Sequence, residues 1–126
     1  MAKVVGVGGV FFKSEDPEKL GAWYQKWLGV PFEHPYGASF KPESLPPGGM
    51  TVWTPFSGST AYFEPSTRDY MFNLIVDNLE EALSQVAEGD AEIVGEIQDE
   101  DYGRFGWFVD PDGNKVELWE PKEGGL

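Results

Sequence analysis

Apolar and polar residues follow strand-like and helix-like spacings along the first part of this chain. The stretch Val4–Phe12 is β-branched, aromatic and rich in glycine, which is typical of a strand. Asp16-Pro17-Glu18 predicts the start of a helix, because Asp caps the first turn and Pro suits the first helical position. Large apolar residues then recur every three or four positions as far as Leu28, and Gly29 ends the predicted helix.

Shorter apolar stretches complete the first half of the chain. Lys41–Gly49 contains three prolines and two glycines, which predicts a loop. Residues 56–69 mix serine, glycine, proline and aromatic residues, and we interpret them as a connector. The remaining stretches predict three short strands, Val30–Pro35, Gly37–Phe40 and Met50–Pro55.

The same order of elements begins again at residue 70. Tyr70–Val76 predicts a strand, and Asp77 followed three residues later by Glu80 predicts the capped start of a second helix. A turn containing Pro111 and Gly113 separates the last two of three further predicted strands. These strands are Glu92–Gln98, Tyr102–Val109 and Lys115–Glu120.

Short sequence matches between the two halves indicate an internal repeat. Tyr36-Gly37 matches Tyr102-Gly103, and Val52–Pro55 matches Leu118–Pro121 in its Trp and Pro, both at an offset of 66 residues. The order strand, helix and three strands therefore occurs twice, which predicts an α+β fold of two βαβββ modules. We place the first module at 3–55, the connector at 56–69 and the second module at 70–121.

Composition and charge exclude several classes of function. The chain of 126 residues has no cysteine and a single histidine, His34, which excludes disulfides, thiol catalysis and multi-histidine metal sites within one chain. Its net charge of −13 disfavours binding to nucleic acid and to anionic membranes, and it attracts cationic small molecules. No apolar run approaches the roughly 20 residues of a membrane span. We expect a cytoplasmic protein.

Two sets of residues resemble a known superfamily. The first half contains Asp16, Trp23-Tyr24 and Leu28-Gly29, and the second contains the run Phe108–Leu118 (FVDPDGNKVEL). These residues are similar to those of the glyoxalase / bleomycin-resistance / extradiol-dioxygenase superfamily, also called vicinal oxygen chelate. The resemblance implies a curved, cup-shaped mixed sheet with helices outside. It also implies that two modules close each cup, within one chain or across a dimer, and we expect a homodimer.

In metal-dependent members of this superfamily, four ligands come from the first and last strand of each module. The resemblance places these positions at Gly9, Thr51, Met71 and Glu117. Only Glu117 is a hard anionic ligand, whereas a catalytic zinc needs about three protein ligands. We therefore expect no family-type metal site and no cofactor.

Strand alternation predicts which residues face the cup. Val116 and Leu118 should pack under the second helix, which turns Glu117 toward the cup. Arg104 is a candidate clamp for an anionic group, and it could equally pair with Glu117 or lie outside. Glu117 could also be solvated and paired with Lys115. The other expected ligand-binding residues are Val7, Gly9, Phe11, Thr51, Trp53, Met71, Asn73 and Trp119, although the two tryptophans could instead belong to the core or a dimer interface.

Three functions remain open at this point, and the sequence does not decide whether the protein is an enzyme. The one we favour is a binding protein, like the bleomycin-resistance members, that holds a small aromatic or cationic molecule in its cup without a metal. The second is a metal-independent isomerase or lyase that uses Glu117 as general base. The third is a metal-dependent glyoxalase or dioxygenase with relocated ligands.

Overall fold

The computed structural model describes residues 1–5 and 7–123. These residues form two helices, a short 3-10 turn at Pro42–Ser44 and one sheet of four strands. The helices are α1 (Pro17–Leu28) and α2 (Leu79–Glu88). The strands are β1 (Phe72–Ile75), β2 (Glu92–Glu100), β3 (Gly103–Val109) and β4 (Lys115–Pro121).

The capping residues explain where α1 begins and ends. The Asp16 carboxylate accepts a hydrogen bond from the Lys19 N–H at 3.0 Å, as the sequence predicts. Gly29 ends the helix in the left-handed region, with φ at 64°, where a side chain would be strained.

The start of α2 differs from the prediction by one residue. Asn78, not Asp77, is the N-cap, and its side-chain oxygen accepts from the Glu81 N–H at 3.0 Å. A second free N–H of the first turn, on Leu79, donates to the Glu120 carboxylate of β4 at 2.8 Å. The helix start is therefore fixed partly by the sheet, which the local sequence does not reveal.

The sheet has the strand order β1-β4-β3-β2. β1 runs parallel to β4, whereas β3 is antiparallel to both β4 and β2. The predicted turn between β3 and β4 is present, with Gly113 at a φ of 85°. Its Asp110 carboxylate accepts from the N–H groups of Asp112 and Asn114, each at 2.9 Å. The α+β class and the curved, open mixed sheet are confirmed.

Both helices lie on one face of this sheet. Val116 and Leu118 of β4 are fully buried with Phe108 of β3 against α2, as alternation predicts. α1 is attached through Tyr24, whose hydroxyl donates to the Asp110 carboxylate at 2.8 Å. The opposite face of the sheet is therefore not covered by either helix and can hold a binding site.

The four strands predicted before residue 56 do not form in the structure. Val4–Phe12 has no strand among its described residues, and 50–55 has none either. In 30–40 there is only an isolated bridge between Glu33 and Gly37. A strand needs a neighbour for its backbone N–H and C=O groups, and none of these segments, so far as the structure describes them, pairs with the sheet. The division into two modules stays a prediction.

Within the described residues, neither helix combines the length and the apolar character that crossing a membrane requires.

Candidate functional site

The sheet face opposite α2 carries Glu117, and we call it the Glu117 face. Because Val116 and Leu118 point toward α2, their neighbours along β4 point the other way. The register aligns Glu117 with Asn73 of β1 on one side and with Trp107 of β3 on the other. The residues of this face are Asn73 and Ile75 of β1, Phe105 and Trp107 of β3, and Lys115, Glu117 and Trp119 of β4.

Three side chains donate hydrogen bonds to the Glu117 carboxylate. Asn73 Nδ2 donates to Oε1 at 2.7 Å, and Trp107 Nε1 donates to Oε2 at 3.0 Å. The third donor is the Tyr62 hydroxyl, which lies 2.5 Å from Oε2. Hydrogen bonds to an ionised acceptor are stronger than those between neutral groups, so the three donors stabilise the negative charge on Glu117.

Tyr62 reaches this face from the connector rather than from a strand. Its ring meets the Trp107 ring edge-on, with centroids 6.2 Å apart, and stacks on Phe56 at 5.6 Å. Burial raises the pKa of Tyr62 above its ordinary value, and the hydrogen bond to Glu117 and its negative charge raise it further. The hydroxyl therefore keeps its proton at neutral pH and acts as a donor.

Lys115 places a positive charge beside the same aromatic rings. Its Nζ donates to the Tyr62 carbonyl oxygen at 2.5 Å and lies 5.0 Å from the centroid of the Tyr62 ring. The Trp107 centroid lies 5.9 Å away. Burial lowers the pKa of Lys115, and the negative charge of Glu117 opposes that shift. The site thus combines a carboxylate, an ammonium and two aromatic rings.

Aromatic side chains form the floor beside Glu117. Trp119 stacks on Phe105 with an interplanar angle of 4° and a centroid distance of 6.0 Å. Its indole N–H donates to the Tyr102 carbonyl at 3.1 Å, which fixes the ring. A flat apolar surface next to an oriented carboxylate can hold an aromatic molecule that carries a hydrogen-bond donor.

The structure brings some of the predicted site residues together and leaves others apart. Glu117, Asn73 and Trp119 lie on one face, and Met71 is half-buried just before β1. Among the described contacts, no hydrogen bond or ring contact joins the predicted site residues of the first module, 3–55, to Glu117. These residues are exposed because their segments have no strand partner: Val7, Gly9, Phe11, Thr51 and Trp53.

Arg104 lies on the other side of the sheet. It alternates with Phe105 and Trp107 along β3, and its Nη2 bonds the Glu80 carboxylate of α2 at 2.7 Å. In the part of the chain that the structure describes, the ion pairs are Arg104–Glu80 and Lys122–Asp99. Glu117 therefore pairs with neither Arg104 nor Lys115 in this part of the chain, and Arg104 lies outside the Glu117 face, which is one of the alternatives that the sequence left open.

Sequence reasoning missed Tyr62 and Trp107 as partners of Glu117. Trp107 could have been found from alternation, because Gly106 and Phe108 beside it pack toward α2. Tyr62 could not, because no local pattern gives the path of a connector across a sheet.

The groups around Glu117 do not fit a divalent metal ion. The Trp107 indole N–H, the Asn73 amide NH₂ and the Tyr62 hydroxyl all point a hydrogen atom, and not a lone pair, toward the carboxylate. Residues 1–5 and 7–123 contain no group of three or more His, Asp or Glu side chains placed to hold a metal ion.

Comparison with known proteins relates this geometry to a family. The model of the glyoxalase-like domain family matches residues 9–119. No protein in the curated set matches the sequence.

Several solved structures share the fold at low sequence identity. A protein from the mobile metagenome of V. Pseudocholerae is 17% identical, with a TM-score of 0.58 over 98% of this chain and 99% of that chain. A glyoxalase/bleomycin resistance protein/dioxygenase superfamily member from Sphaerobacter thermophilus DSM 20745 is 23% identical, with a TM-score of 0.51 over 95% and 98%. The antibiotic-binding protein TnmS3 from Streptomyces sp. CB03234 is 18% identical, with a TM-score of 0.50 over 86% and 89%. Since the family model spans most of the sequence, the chain belongs to the glyoxalase-like domain family.

Proposed function

We propose that this protein binds a small aromatic or cationic molecule on the Glu117 face without a family-type metal. The observation that carries the proposal is a carboxylate held by Asn73 and Trp107 from the two neighbouring strands, on a face lined by aromatic rings. Such a surface supplies stacking area and one oriented acceptor. The similar fold of TnmS3, an antibiotic-binding protein, agrees with this proposal.

Charge supports the same class of ligand. The net charge of −13 raises the local concentration of cations around the molecule, and Glu117 offers a negative group among rings. We also propose that the protein is located in the cytoplasm.

The two enzymatic alternatives have less support. A general base needs a lone pair aimed at the substrate proton, and three of the roughly four lone-pair sites of the Glu117 carboxylate already accept hydrogen bonds from side chains. Metal-dependent glyoxalase or dioxygenase chemistry would need oxygen or nitrogen acceptors where the structure has N–H donors.

We further propose that two copies associate and that residues 3–55 form the first module in that state. Phe11 is 97% exposed and Trp53 is 79% exposed in segments that have no strand partner in the described chain. The outer edges of β1 and β2 are also free of any described strand. One chain thus presents both unpaired apolar segments and unpaired sheet edges. In a dimer, the segments of one copy can pair with the sheet edges of the other.

A thermal-shift screen of neutral and cationic aromatic compounds tests the binding proposal. We expect a compound that raises the melting temperature of the wild type and of Glu88→Gln, but not that of Glu117→Gln. Glu88 is exposed on the helix side of the sheet, so its variant changes net charge equally without touching the site. If the compound is a cation, raised salt should weaken its binding. No shift with any compound, or equal shifts in Glu117→Gln and wild type, would contradict the proposal.

A further inference from the structure

The three donors to Glu117 differ in how firmly the fold holds them. Asn73 and Trp107 are direct strand neighbours of Glu117, so the sheet fixes both. Tyr62 lies in a connector whose backbone bonds are local, such as Thr60 N–H to Ser57 O at 3.0 Å. The residue is also 39% exposed. The hydrogen bond from Tyr62 is therefore the one that can be exchanged without breaking the sheet.

Tyr62 has the chemistry of a bound aromatic molecule. Its ring packs edge-on against Trp107, its hydroxyl donates to Glu117, and the Lys115 ammonium lies over its ring face. The Lys115 hydrogen bond goes to the Tyr62 backbone carbonyl, not to its side chain. The side chain can therefore rotate away while the connector stays attached to β4.

We propose that Tyr62 is an internal occupant of the Glu117 site and that the ligand is a neutral, phenol-type molecule that displaces it. This inference rests on the proposed function and deepens it by naming the ligand class and the side chain that gives way. The ligand's O–H takes over the bond to Glu117 Oε2, and its ring takes over the contacts with Trp107 and Lys115.

The charges around Tyr62 favour a neutral ring over a cationic one at this position. The Lys115 ammonium is 5.0 Å from the ring centroid, so a second cation placed there would be repelled. An ammonium is instead attracted to the face of an electron-rich ring such as that of a phenol. The Tyr62 hydroxyl keeps its proton in this environment, because its pKa is raised, and a phenol in the same place would do so too.

Calorimetric titration with p-cresol tests the displacement. We expect Tyr62→Ala to bind p-cresol at least about tenfold more tightly than the wild type, because the ligand no longer competes with a hydrogen bond to a charged group. In Tyr62→Ala, p-cresol should also bind about tenfold more tightly than 4-methylanisole, which has the ring but no O–H. Tyr36→Ala is the matched control, since Tyr36 is 88% exposed and lies outside the site.

A second variant keeps the test valid if Tyr62→Ala does not fold. Tyr62→Phe retains the ring and loses only the hydroxyl, and we expect its p-cresol affinity to rise by a few-fold over wild type. Equal p-cresol affinity in the wild type and the Tyr62 variants overturns the displacement. Equal affinity of p-cresol and 4-methylanisole overturns the phenol class.

The outcomes separate this inference from the proposed function. If a cationic aromatic compound binds the wild type in a Glu117-dependent way and p-cresol shows no gain in the Tyr62 variants, only the displacement is wrong. If Glu117→Gln changes the binding of neither compound, both proposals are wrong.

Discussion

Glu117 and Trp107 are neighbours on adjacent strands, β4 and β3, and a hydrogen bond joins their side chains. Trp107 is 8% exposed and directs its indole N–H to Glu117 Oε2 at 3.0 Å. The same indole ring contacts Tyr62 edge-on, so Trp107 both packs against the connector and donates a hydrogen bond to Glu117.

Trp107→Phe is expected to reduce the free energy of unfolding by at least about 1.5–3 kcal/mol, because it removes a hydrogen bond to a charged group and also part of a buried ring. Urea unfolding followed by circular dichroism measures the change. Trp53→Phe should leave stability unchanged within about 0.5 kcal/mol, because Trp53 is exposed. Equal losses of stability in the two variants would contradict a stabilising role of the buried Trp107 indole and its hydrogen bond.

The elements of the second half were largely predictable from local signals, and those of the first half were not. Alternation placed Val116 and Leu118 under α2, and the Pro- and Gly-containing turn at 110–113 formed as predicted. The strands expected at 4–12 and 50–55 had the right composition and no partner. Strand pairing depends on backbone groups that are distant in the sequence. The path of the connector that brings Tyr62 to Glu117 also depends on distant residues. A local sequence pattern therefore predicts neither of them.

The contact between α1 and the β3–β4 turn rests on Tyr24 and Asp110. Burial raises the pKa of Tyr24, and the negative charge of Asp110 and the hydrogen bond to it add to that shift. Below pH 10, the ordinary value, Tyr24 is neutral in both the folded and the unfolded chain. Above it the unfolded chain loses this proton first, so the stability contributed by Tyr24 falls as pH rises.

We therefore expect Tyr24→Phe to lower the free energy of unfolding by about 1–3 kcal/mol at pH 7, and the gap from wild type to narrow above pH about 10. Urea unfolding across pH 7 to about 11 measures it. Taking the difference between the two proteins removes the opposite contribution of Lys115, whose lowered pKa favours the folded state as pH rises. Tyr36→Phe should show no gap. A difference in the free energy of unfolding between wild type and Tyr24→Phe that widens with pH would contradict a raised pKa of Tyr24 in the folded chain.

For the whole molecule, the large negative charge and the exposed apolar segments act against each other. Two copies at −13 repel at long range, whereas burial of side chains such as Phe11 and Val52 favours association. Salt screens the repulsion between the two copies and leaves the gain from apolar burial largely unchanged.

The proposed dimer should therefore tighten when salt is raised from about 50 mM to about 500 mM, because the Debye length shrinks. Sedimentation equilibrium at micromolar protein measures the dissociation constant. Phe11→Ser is expected to weaken association, and Ala22→Ser, on the exposed surface of α1, is the control. A monomer at both salt concentrations would rule out the second copy as the cover for these segments.

The central claim is that a small aromatic molecule binds on the Glu117 face, and indole N–H resonances report on it most directly. The chain has five tryptophans, of which Trp107 donates to Glu117 and Trp23 donates to the Gly89 carbonyl on the helix side. In ¹⁵N–¹H spectra recorded during titration with p-cresol or the best cationic aromatic compound, the Trp107 resonance should shift and the Trp23 resonance should not. A Trp107 resonance that stays still while the compound binds would contradict the account.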